Sequence, residues 1–316
     1  MTTKFKSHIR AARPSFGGAV CAGAVLLIVS NTQAQNLFVS DYGTGNIYEL
    51  TPDGAQSTFA TGLTLPYGLA FNSTGDLFEA DAGTGNIYEY TTGGAKTIFA
   101  GGLGQYGPGG LAFNSTGNLF VTDYGSGSSP YSPYGYSIIY EYTPGRVQSL
   151  FASGSAGGLG SPIGLAFNSA GNLFVSDASS GNIYEFTPNG AQSTFASGLS
   201  IPFGLVFNSA GDLFEADAGT GSINEFTPGG AKSTFASGLS YPEGLALNSA
   251  GDLFAANDGN GTITEITPGG VQSLFASGLD EPTFLAFQAV PEPSIMGLLA
   301  VGAITLLVRR RNQTIC

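Results

Sequence analysis

The stretch PYGLAFNSTGDLFEAD at residues 66–81 decides the fold, because the chain repeats it. Nearly the same sequence returns as PIGLAFNSAGNLFVSD at 162–177 and as PFGLVFNSAGDLFEAD at 202–217. Segments of the LF-x-x-D type begin at 37, 77, 119, 173, 213 and 253, so the steps are 40, 42, 54, 40 and 40 residues. A recurring period of this length indicates a repeat architecture.

Each repeat predicts four short strands and no helix. The runs GLAFN, LFVSD, IYEFT and STFAS are rich in aromatic and β-branched residues, which favour strands. Turns rich in Gly, Pro and Asn separate them. We name these strands A, B, C and D in that order. Four antiparallel strands in about 40 residues are typical of one β-propeller blade.

The offset between the two ends of the repeated region predicts a closed ring. The first unit begins in strand B at Leu37, and the last one ends in strand A with the FLAF of 284–287. The last A strand can therefore complete the sheet that the first B strand opens. The sequence predicts an all-β, six-bladed propeller of four-stranded antiparallel blades, closed by pairing of the N-terminal and C-terminal strands. An open β-solenoid is the alternative, and it would not need this offset.

The repeat motif P-x-GLAFN-S-x-GNLFVSD-x-x-x-GNIYEFTPxG resembles an NHL-type repeat. It is also similar to the wider six-bladed group that contains the gluconolactonase and regucalcin-like proteins. The resemblance covers the repeated region and implies the propeller fold. It implies little about activity, because propellers carry many unrelated functions.

Residues 1–34 have the pattern of a secretory signal peptide. Basic residues precede an apolar run from 19 to 29, and small or polar residues follow up to Ala34. This order predicts an N-terminal signal helix, cleavage near Ala34 and export. A membrane anchor is the alternative, but the apolar run is too short to span a bilayer.

Residues 289–316 resemble the bacterial PEP-CTERM sorting signal. Its parts are the motif Val290-Pro291-Glu292-Pro293, an apolar run at 295–308 and the cluster Arg309-Arg310-Arg311. The resemblance implies processing by exosortase, a membrane-embedded transpeptidase of Gram-negative bacteria, after transient membrane insertion of a hydrophobic helix. It also implies delivery to the cell surface or extracellular matrix. The sequence thus predicts three segments: a signal peptide at 1–34, a propeller at 35–288 and a sorting tail at 289–316.

The predicted propeller segment is acidic and poor in catalytic side chains. His8, Cys21 and Cys316 all lie outside 35–288, so the segment contains no histidine and no cysteine. Three basic residues stand against 21 acidic ones, a net charge of −18, which disfavours nucleic acid and anionic membranes as partners. Nucleophilic sites of the Ser-His-Asp or Cys-His type are unavailable. Ca²⁺ would suit carboxylate oxygens, but no specific motif supports it, and no cofactor is predicted.

The residue x of each P-x-G sequence is predicted to stand at the mouth of the central channel, where strand A begins. These residues are Tyr67, Gly109, Ile163, Phe203, Glu243 and Thr283. Tyr67 and Phe203 are three blades apart and should face each other, and such rings can stack on sugars. The same rings would also suit packing that plugs the channel. The gluconolactonase-like group holds a divalent metal with Asn and Asp at this kind of position. Only Glu243 is a comparable ligand here, and no metal site is predicted.

Blade three carries an insertion that should lie on the same face. It reads YGSGSSPYSPYGYSI at 124–138 and contains Tyr124, Tyr131, Tyr134 and Tyr136. Tyrosine and serine in adaptable loops are typical of recognition surfaces. A tolerated flexible insertion is the alternative, because surface loops accept extra length at little cost.

Two sets of acidic residues belong to the repeat. Each strand B ends in Asp, except for Asn257 in blade six, and we expect these side chains to accept hydrogen bonds from turn N–H groups. Glu79 and Glu215 occupy the middle of strand B, where three blades have valine. Buried carboxylates need partners, so we expect hydrogen bonds or partial exposure. Opposite blades are too far apart for a catalytic carboxylate pair.

These observations favour an exported, monomeric, non-catalytic propeller that acts as a binding or structural module. Exopolysaccharide or another matrix component is the predicted partner. The alternative is a metal-dependent lactonase or lyase-type enzyme of the gluconolactonase-like group. Turnover that depends on metal and on Glu243 would favour the enzyme, and saturable binding without turnover would favour the module.

Overall fold

A computed structural model describes residues 35–104, 107–123, 137–154 and 158–288. These residues form six separate four-stranded antiparallel sheets. Within these ranges, a short 3₁₀ turn at Asp258–Asn260 lies between the strands Leu253–Asn257 and Thr262–Ile266. The predicted signal helix and hydrophobic tail helix lie outside the described residues.

The strands follow the order A, B, C, D in every blade. Blade one contains β24 (Pro282–Phe287), β1 (Leu37–Asp41), β2 (Asn46–Leu50) and β3 (Gln56–Ala60). Blade two contains β4 (Pro66–Phe71), β5 (Leu77–Asp81), β6 (Asn86–Tyr90) and β7 (Lys96–Ala100). Blade three contains β8 (Pro108–Phe113), β9 (Leu119–Asp123), β10 (Ile138–Tyr142) and β11 (Gln148–Ser153). Blade four contains β12 (Pro162–Phe167), β13 (Leu173–Asp177), β14 (Asn182–Phe186) and β15 (Gln192–Ala196). Blade five contains β16 (Pro202–Phe207), β17 (Leu213–Asp217), β18 (Ser222–Phe226) and β19 (Lys232–Ser237). Blade six contains β20 (Pro242–Leu247), β21 (Leu253–Asn257), β22 (Thr262–Ile266) and β23 (Gln272–Ser277).

The predicted closure of the ring is confirmed. Strand β1 pairs with β24 in antiparallel register, with Leu37 opposite Phe287 and Val39 opposite Leu285. One sheet therefore joins the two ends of the described region. This pairing rules out the open solenoid and confirms the six-bladed, all-β fold class.

A backbone irregularity at the start of strand A brings the blades together around the axis. In blade two, Pro66 pairs with Asp81 and Leu69 with Glu79, so the register shifts between them. A Cβ atom on Gly68 at this bulge would collide with the carbonyl oxygen of Gly109 in the next blade. Glycine is therefore required here because two backbones approach closely. This close backbone contact explains the glycine of the repeated P-x-G sequence.

Aromatic side chains pack the blades against one another. Phe78 of strand B contacts Phe99 of its own blade and Phe113 of the next blade, with ring centroids 5.0 and 4.9 Å apart. Both contacts are edge-to-face, which is a favoured geometry for aromatic pairs. The repeat places aromatic residues at these positions of strands A, B and D in most blades around the ring. This packing explains the LF and AF pairs of the motif.

The aspartates at the ends of strand B act as predicted. One carboxylate oxygen of Asp41 accepts the Thr44 N–H at 3.0 Å, and the other accepts the Asp280 N–H at 2.8 Å. Asp81 bonds Thr84 and Thr64 in the same way, at 2.9 Å each. Each aspartate thus ties its own B–C turn to the loop that enters the blade.

Within the described residues, no helix has the length and apolarity needed to cross a membrane.

Candidate functional site at the channel mouth

The structure places the x residues of P-x-G on one inner ring. They are the second residues of the six A strands: Tyr67, Gly109, Ile163, Phe203, Glu243 and Thr283. Strands A of neighbouring blades contact each other throughout, including β24 with β4 across the closure. Ile163, Phe203 and Phe284 belong to one buried cluster, and Tyr67 packs against it. The predicted grouping of these residues around the axis is therefore present.

Most of this inner ring is buried. Ile163, Phe203 and Thr283 are each less than a tenth exposed, whereas Tyr67 is half-buried. The Phe203 ring lies edge-on to Tyr241, with centroids 5.9 Å apart. The inner ring thus supplies packing, and it leaves ligand contacts to the residues that cover it.

Tyr67 lies between two other aromatic rings. Its centroid is 5.2 Å from that of Phe284 and 6.4 Å from that of Tyr42. Phe284 occupies the place that glycine holds in the other five P-x-G sequences. The contact between blades one and two is therefore made by aromatic side chains as well as by backbone.

Side-chain hydroxyls of strand B support part of the ring. The Ser176 hydroxyl accepts the Gly164 N–H at 2.8 Å and donates to the carbonyl of Phe203. The Ser40 hydroxyl accepts the Phe284 N–H at 3.0 Å and lies 2.9 Å from the Thr283 hydroxyl. Thr283 is therefore occupied with holding the closure, which leaves it poorly placed to bind a ligand.

Glu243 is the single carboxylate of the inner ring. It is 6 % exposed, and its Oε2 has no hydrogen-bond partner. Burial raises the pKa of Glu243 well above its usual range, and the charges of Asp258 and Glu281 raise the pKa further. A carboxyl in this setting is suited to donate a hydrogen bond, and it is poorly suited to ligate a cation alone. Among the described residues, no group of three or more His, Cys, Asp or Glu side chains is arranged to hold a metal ion.

A second ring, missed from sequence, surrounds the mouth. Its members directly precede the proline of P-x-G, and three of them are exposed apolar residues: Leu65 at 38 %, Ile201 at 37 % and Tyr241 at 36 %. Together with Glu281 we call these four residues the rim. Their φ angles are 62°, 60°, 52° and 57°, in the left-handed region that disfavours every residue except glycine. The signal was available, since the position before each P-x-G is large in four repeats.

The rim backbone has a structural task of its own. The carbonyl of Leu65 accepts the Ala82 N–H at 3.1 Å, and the carbonyl of Tyr241 accepts the Asp258 N–H at 3.2 Å. In blade four the carbonyl of Ser161 accepts the Ala178 N–H at 2.9 Å in the same way, although Ser161 has no positive φ. Blade three uses Gly107, with φ of 68°, at the same position. This hydrogen bond therefore requires neither a left-handed residue nor a large side chain at the position before proline.

The remaining predicted site residues cannot be placed. Tyr124, Tyr131, Tyr134 and Tyr136 lie outside the described residues, as do the sorting residues Val290, Pro291, Glu292, Pro293, Arg309, Arg310 and Arg311. Their roles stay predictions.

The two mid-strand glutamates differ in their hydrogen bonding. Glu215 is fully buried and accepts a hydrogen bond from Asn224 Nδ2 at 2.8 Å, as expected. For Glu79 the expectation of a hydrogen bond or partial exposure is wrong: it is fully buried, and neither carboxyl oxygen has a partner. The reason is the facing residue, which is Tyr88 opposite Glu79 and Asn224 opposite Glu215.

Comparison with known proteins identifies the tail and the fold. The family model described as PEP-CTERM protein-sorting motif matches residues 289–311, which confirms the resemblance found in the tail. No curated protein matches the chain.

Solved structures resemble the propeller at low sequence identity. A chain of a nidogen/laminin complex aligns with a TM-score of 0.70 and 20 % identity, over 81 % of this chain and 98 % of that one. A gluconolactonase from Xanthomonas campestris gives 0.62 and 20 %, over 70 % and 79 %. Virginiamycin B lyase from Staphylococcus aureus gives 0.56 and 16 %, over 69 % and 73 %. Likeness at this level of identity shows a shared fold and carries no function. The chain thus contains a six-bladed β-propeller and, at residues 289–311, a PEP-CTERM protein-sorting motif.

Proposed function

We propose that this protein is an exported propeller, delivered to the cell surface or extracellular matrix, that binds exopolysaccharide without catalysis. The sorting motif at 289–311 supports export through membrane-associated processing by an exosortase-type enzyme. The signal peptide at 1–34 and a monomeric propeller at 35–288 belong to the same proposal. Replacing Pro291-Glu292-Pro293 by alanines should leave the protein in the membrane fraction, and release at the normal rate would contradict the sorting step.

The observation that carries the binding proposal is the rim. A non-glycine residue in the left-handed conformation costs about 1 to 2 kcal/mol. Leu65, Ile201 and Tyr241 carry that cost while leaving more than a third of their side chains exposed. Glycine would serve the turn, as Gly107 does. Side chains kept at an energetic cost, exposed and grouped on one face, are typical of a binding surface.

The chemistry of the mouth suits an uncharged or weakly polar saccharide face. Tyr241 offers an aromatic surface, and Leu65 and Ile201 offer aliphatic ones. The charge of −18 on residues 35–288 disfavours strongly anionic polymers. A neutral exopolysaccharide is therefore the proposed ligand.

An enzyme is the second candidate, and Glu243 is the observation in its favour. Burial with nearby negative charges is a common setting for an acid catalyst. Against this, no group of three or more His, Cys, Asp or Glu side chains among the described residues is arranged to hold a metal ion beside Glu243. The resemblance to a gluconolactonase and to a lyase concerns fold alone. Lactone hydrolysis or lyase activity that is lost in Glu243→Gln would favour this candidate.

The test is sedimentation of the protein with the producing cell's own exopolysaccharide. The variant Leu65→Gly/Ile201→Gly/Tyr241→Gly removes the rim side chains and relieves the backbone strain, so it should stay folded and lose binding. The matched control is Ile98→Thr/Val147→Thr/Val271→Thr, which removes exposed apolar residues from the outer strands and their turns. Binding that survives in the rim variant, or that disappears equally in the control, would contradict the proposed site.

A further inference from the structure

Blade six departs from the other blades at three neighbouring positions. Strand B ends in Asn257 where the other five blades have aspartate. Strand C begins with Thr262 where blades one, two and four have asparagine, and two residues later it has Thr264 where blades one to four have tyrosine. These three residues face one another, so their changes concern one place in the fold.

In blades one to four a tyrosine occupies the position of Thr264, and in blade five Asn224 does. Asn46 Nδ2 donates to the Tyr48 hydroxyl at 3.0 Å, and Asn182 bonds Tyr184 in the same way at 3.0 Å. The Tyr48 hydroxyl also donates to the Thr44 hydroxyl in the B–C turn at 3.4 Å, and Tyr184 donates to Ser180 at the same distance. Blade two repeats the arrangement with Asn86 and Tyr88.

In blade six the two threonines leave this place open. A shallow depression of about 290 Å³, open to solvent and called here the blade-six cavity, lies between strands C and D, the B–C turn and the loop that enters the blade. Its polar lining includes Ser240, Asn257, Asn260, Thr262, Thr264 and Gln272. No lining residue carries a charge. The volume is at the lower end of the range for small-molecule sites, about 300 Å³ upward.

Asn257 differs from the aspartates that it replaces. Asp217 bonds the N–H groups of Ser200 and Thr220 with its two oxygens. Asn257 instead donates from Nδ2 to the hydroxyls of Thr262 and Thr264, at 3.1 and 2.8 Å. It is 1 % exposed, and its Oδ1 has no hydrogen-bond partner. A buried carbonyl without a partner is rare and costly. Because Oδ1 has no surface open to the cavity, a ligand hydroxyl would reach it only after rotation of the Asn257 side chain.

We propose that this blade-six cavity is a second binding site, separate from the mouth, that takes one neutral sugar residue or a similar small polyol. Hydroxyl and amide groups line it, and these can both donate to and accept from the hydroxyls of such a ligand. The acidic surface disfavours an anionic sugar. The lack of aromatic and charged groups in the lining predicts weak, millimolar binding.

The first experiment is saturation-transfer difference NMR on the purified full chain, in a detergent without a sugar headgroup. The probes are methyl β-D-glucopyranoside, methyl β-D-galactopyranoside and D-gluconate. We expect a saturable signal from at least one neutral glycoside and at least tenfold weaker binding of gluconate. Thr264→Tyr restores the residue of blades one to four, fills the cavity, and should reduce the glycoside signal at least tenfold.

Two further variants keep the proposal falsifiable. Thr264→Val preserves the shape of the side chain but removes the hydroxyl that Asn257 bonds, and it should weaken binding several-fold even if Thr264→Tyr folds poorly. Asn182→Thr/Tyr184→Thr opens the equivalent place in blade four, where Asp177 already has its partners, and should create no comparable site. The rim variant should retain the signal. Absence of any neutral glycoside signal, or a signal unchanged in both Thr264 variants, would overturn the proposal. A signal lost only in the rim variant would overturn it as well and place the sugar at the mouth.

Discussion

Blades two and five contain the same ten residues, DLFEADAGTG, at 76–85 and 212–221, yet the buried glutamate of each meets different surroundings. Both Glu79 and Glu215 are fully buried in the middle of strand B. Both replace the valine found at Val39 and its equivalents in two other blades. What differs is the strand that faces them.

Glu215 faces an amide. Asn224 is itself buried and donates to Glu215 Oε2 at 2.8 Å. Burial raises the pKa of Glu215 to about 8, although the Asn224 hydrogen bond acts to lower it. The nearby charge of Asp217 raises the pKa, and that of Lys232 lowers it. One hydrogen bond therefore limits how strongly the carboxyl retains its proton.

Glu79 faces two tyrosines. Tyr88 lies opposite it in the sheet, and the Tyr90 hydroxyl is buried without a partner. Burial raises the pKa of Glu79 well above its usual range, the charge of Asp81 raises it further, and that of Lys96 lowers it. Lys96 is turned to the Tyr88 ring, with Nζ 3.9 Å from its centroid. Identical local sequence thus gives a carboxyl with one hydrogen-bonded oxygen in blade five, where Glu215 Oε1 has no partner, and a carboxyl with none in blade two.

The largest expected effect is on the pH dependence of stability. Between about pH 4.5 and 8 the folded Glu215 carboxyl holds a proton that the unfolded chain releases. The contribution of this group to stability is therefore fully present below pH 4.5 and falls by about 1.4 kcal/mol per pH unit as pH rises, about 5 kcal/mol in total by pH 8. Glu215→Gln cannot titrate at this position, so its free energy of unfolding should fall less over this range by the contribution of Glu215 alone.

Urea unfolding at pH 5, 6, 7 and 8, followed by circular dichroism, measures this difference. Glu243 and Asp258 also have raised pKa values, but they contribute equally to both proteins and cancel in the comparison. Glu79→Gln should flatten the curve at least as much as Glu215→Gln does. Parallel curves for wild type and Glu215→Gln would show that the buried carboxyl does not hold a proton.

An intermediate effect is expected when the Asn224 amide, in which blade five differs from blade two, is removed. Asn224→Leu leaves Glu215 buried without its partner, which is the condition of Glu79. We expect a loss of about 1 to 3 kcal/mol at pH 5, because an unsatisfied buried polar group costs that much. The pKa of Glu215 should also rise, since the hydrogen bond that lowered it is gone.

The control for that substitution lies at the same position of blade two. Tyr88→Phe removes a hydroxyl that accepts from Asn86 at 3.3 Å and does not touch Glu79 by a hydrogen bond. It should cost less than about 1 kcal/mol. Equal losses in the two variants, measured as urea midpoints, would contradict the role given to Asn224.

The fold could be predicted from the sequence because each repeat contains the residues that specify its strands, its turns and its contacts with the next blade. Turn residues, the P-x-G contact and the aromatic positions of strands A, B and D recur around the ring, and the offset of the ends specified the closure. Contacts that every blade repeats, such as those of Asp41 with its turn, are also readable locally. The whole architecture is therefore encoded several times over.

The candidate site was only partly predictable, because it depends on contacts between blades. The inner-ring position of Phe203 was predicted correctly, but its cover by Tyr241 comes from the loop that enters blade six. The rim could not be predicted from the P-x-G motif, because that motif begins at proline, one residue after Tyr241. Glu79 was misjudged because its partner would have to come from strand C, outside the repeated ten residues.

The smallest expected effect has the opposite sign. Glu79→Val introduces the residue of blades one, three and four and removes an unsatisfied buried carboxyl, so it should stabilise the protein by about 1 kcal/mol at pH 5. The gain is limited, because valine is smaller than glutamate and loses some packing. Glu215→Val should destabilise instead, since it leaves the buried amide of Asn224 without its acceptor. Opposite shifts of the urea midpoint would show that the facing strand decides what the same carboxyl does. A stabilised Glu215→Val would show that burial alone decides it.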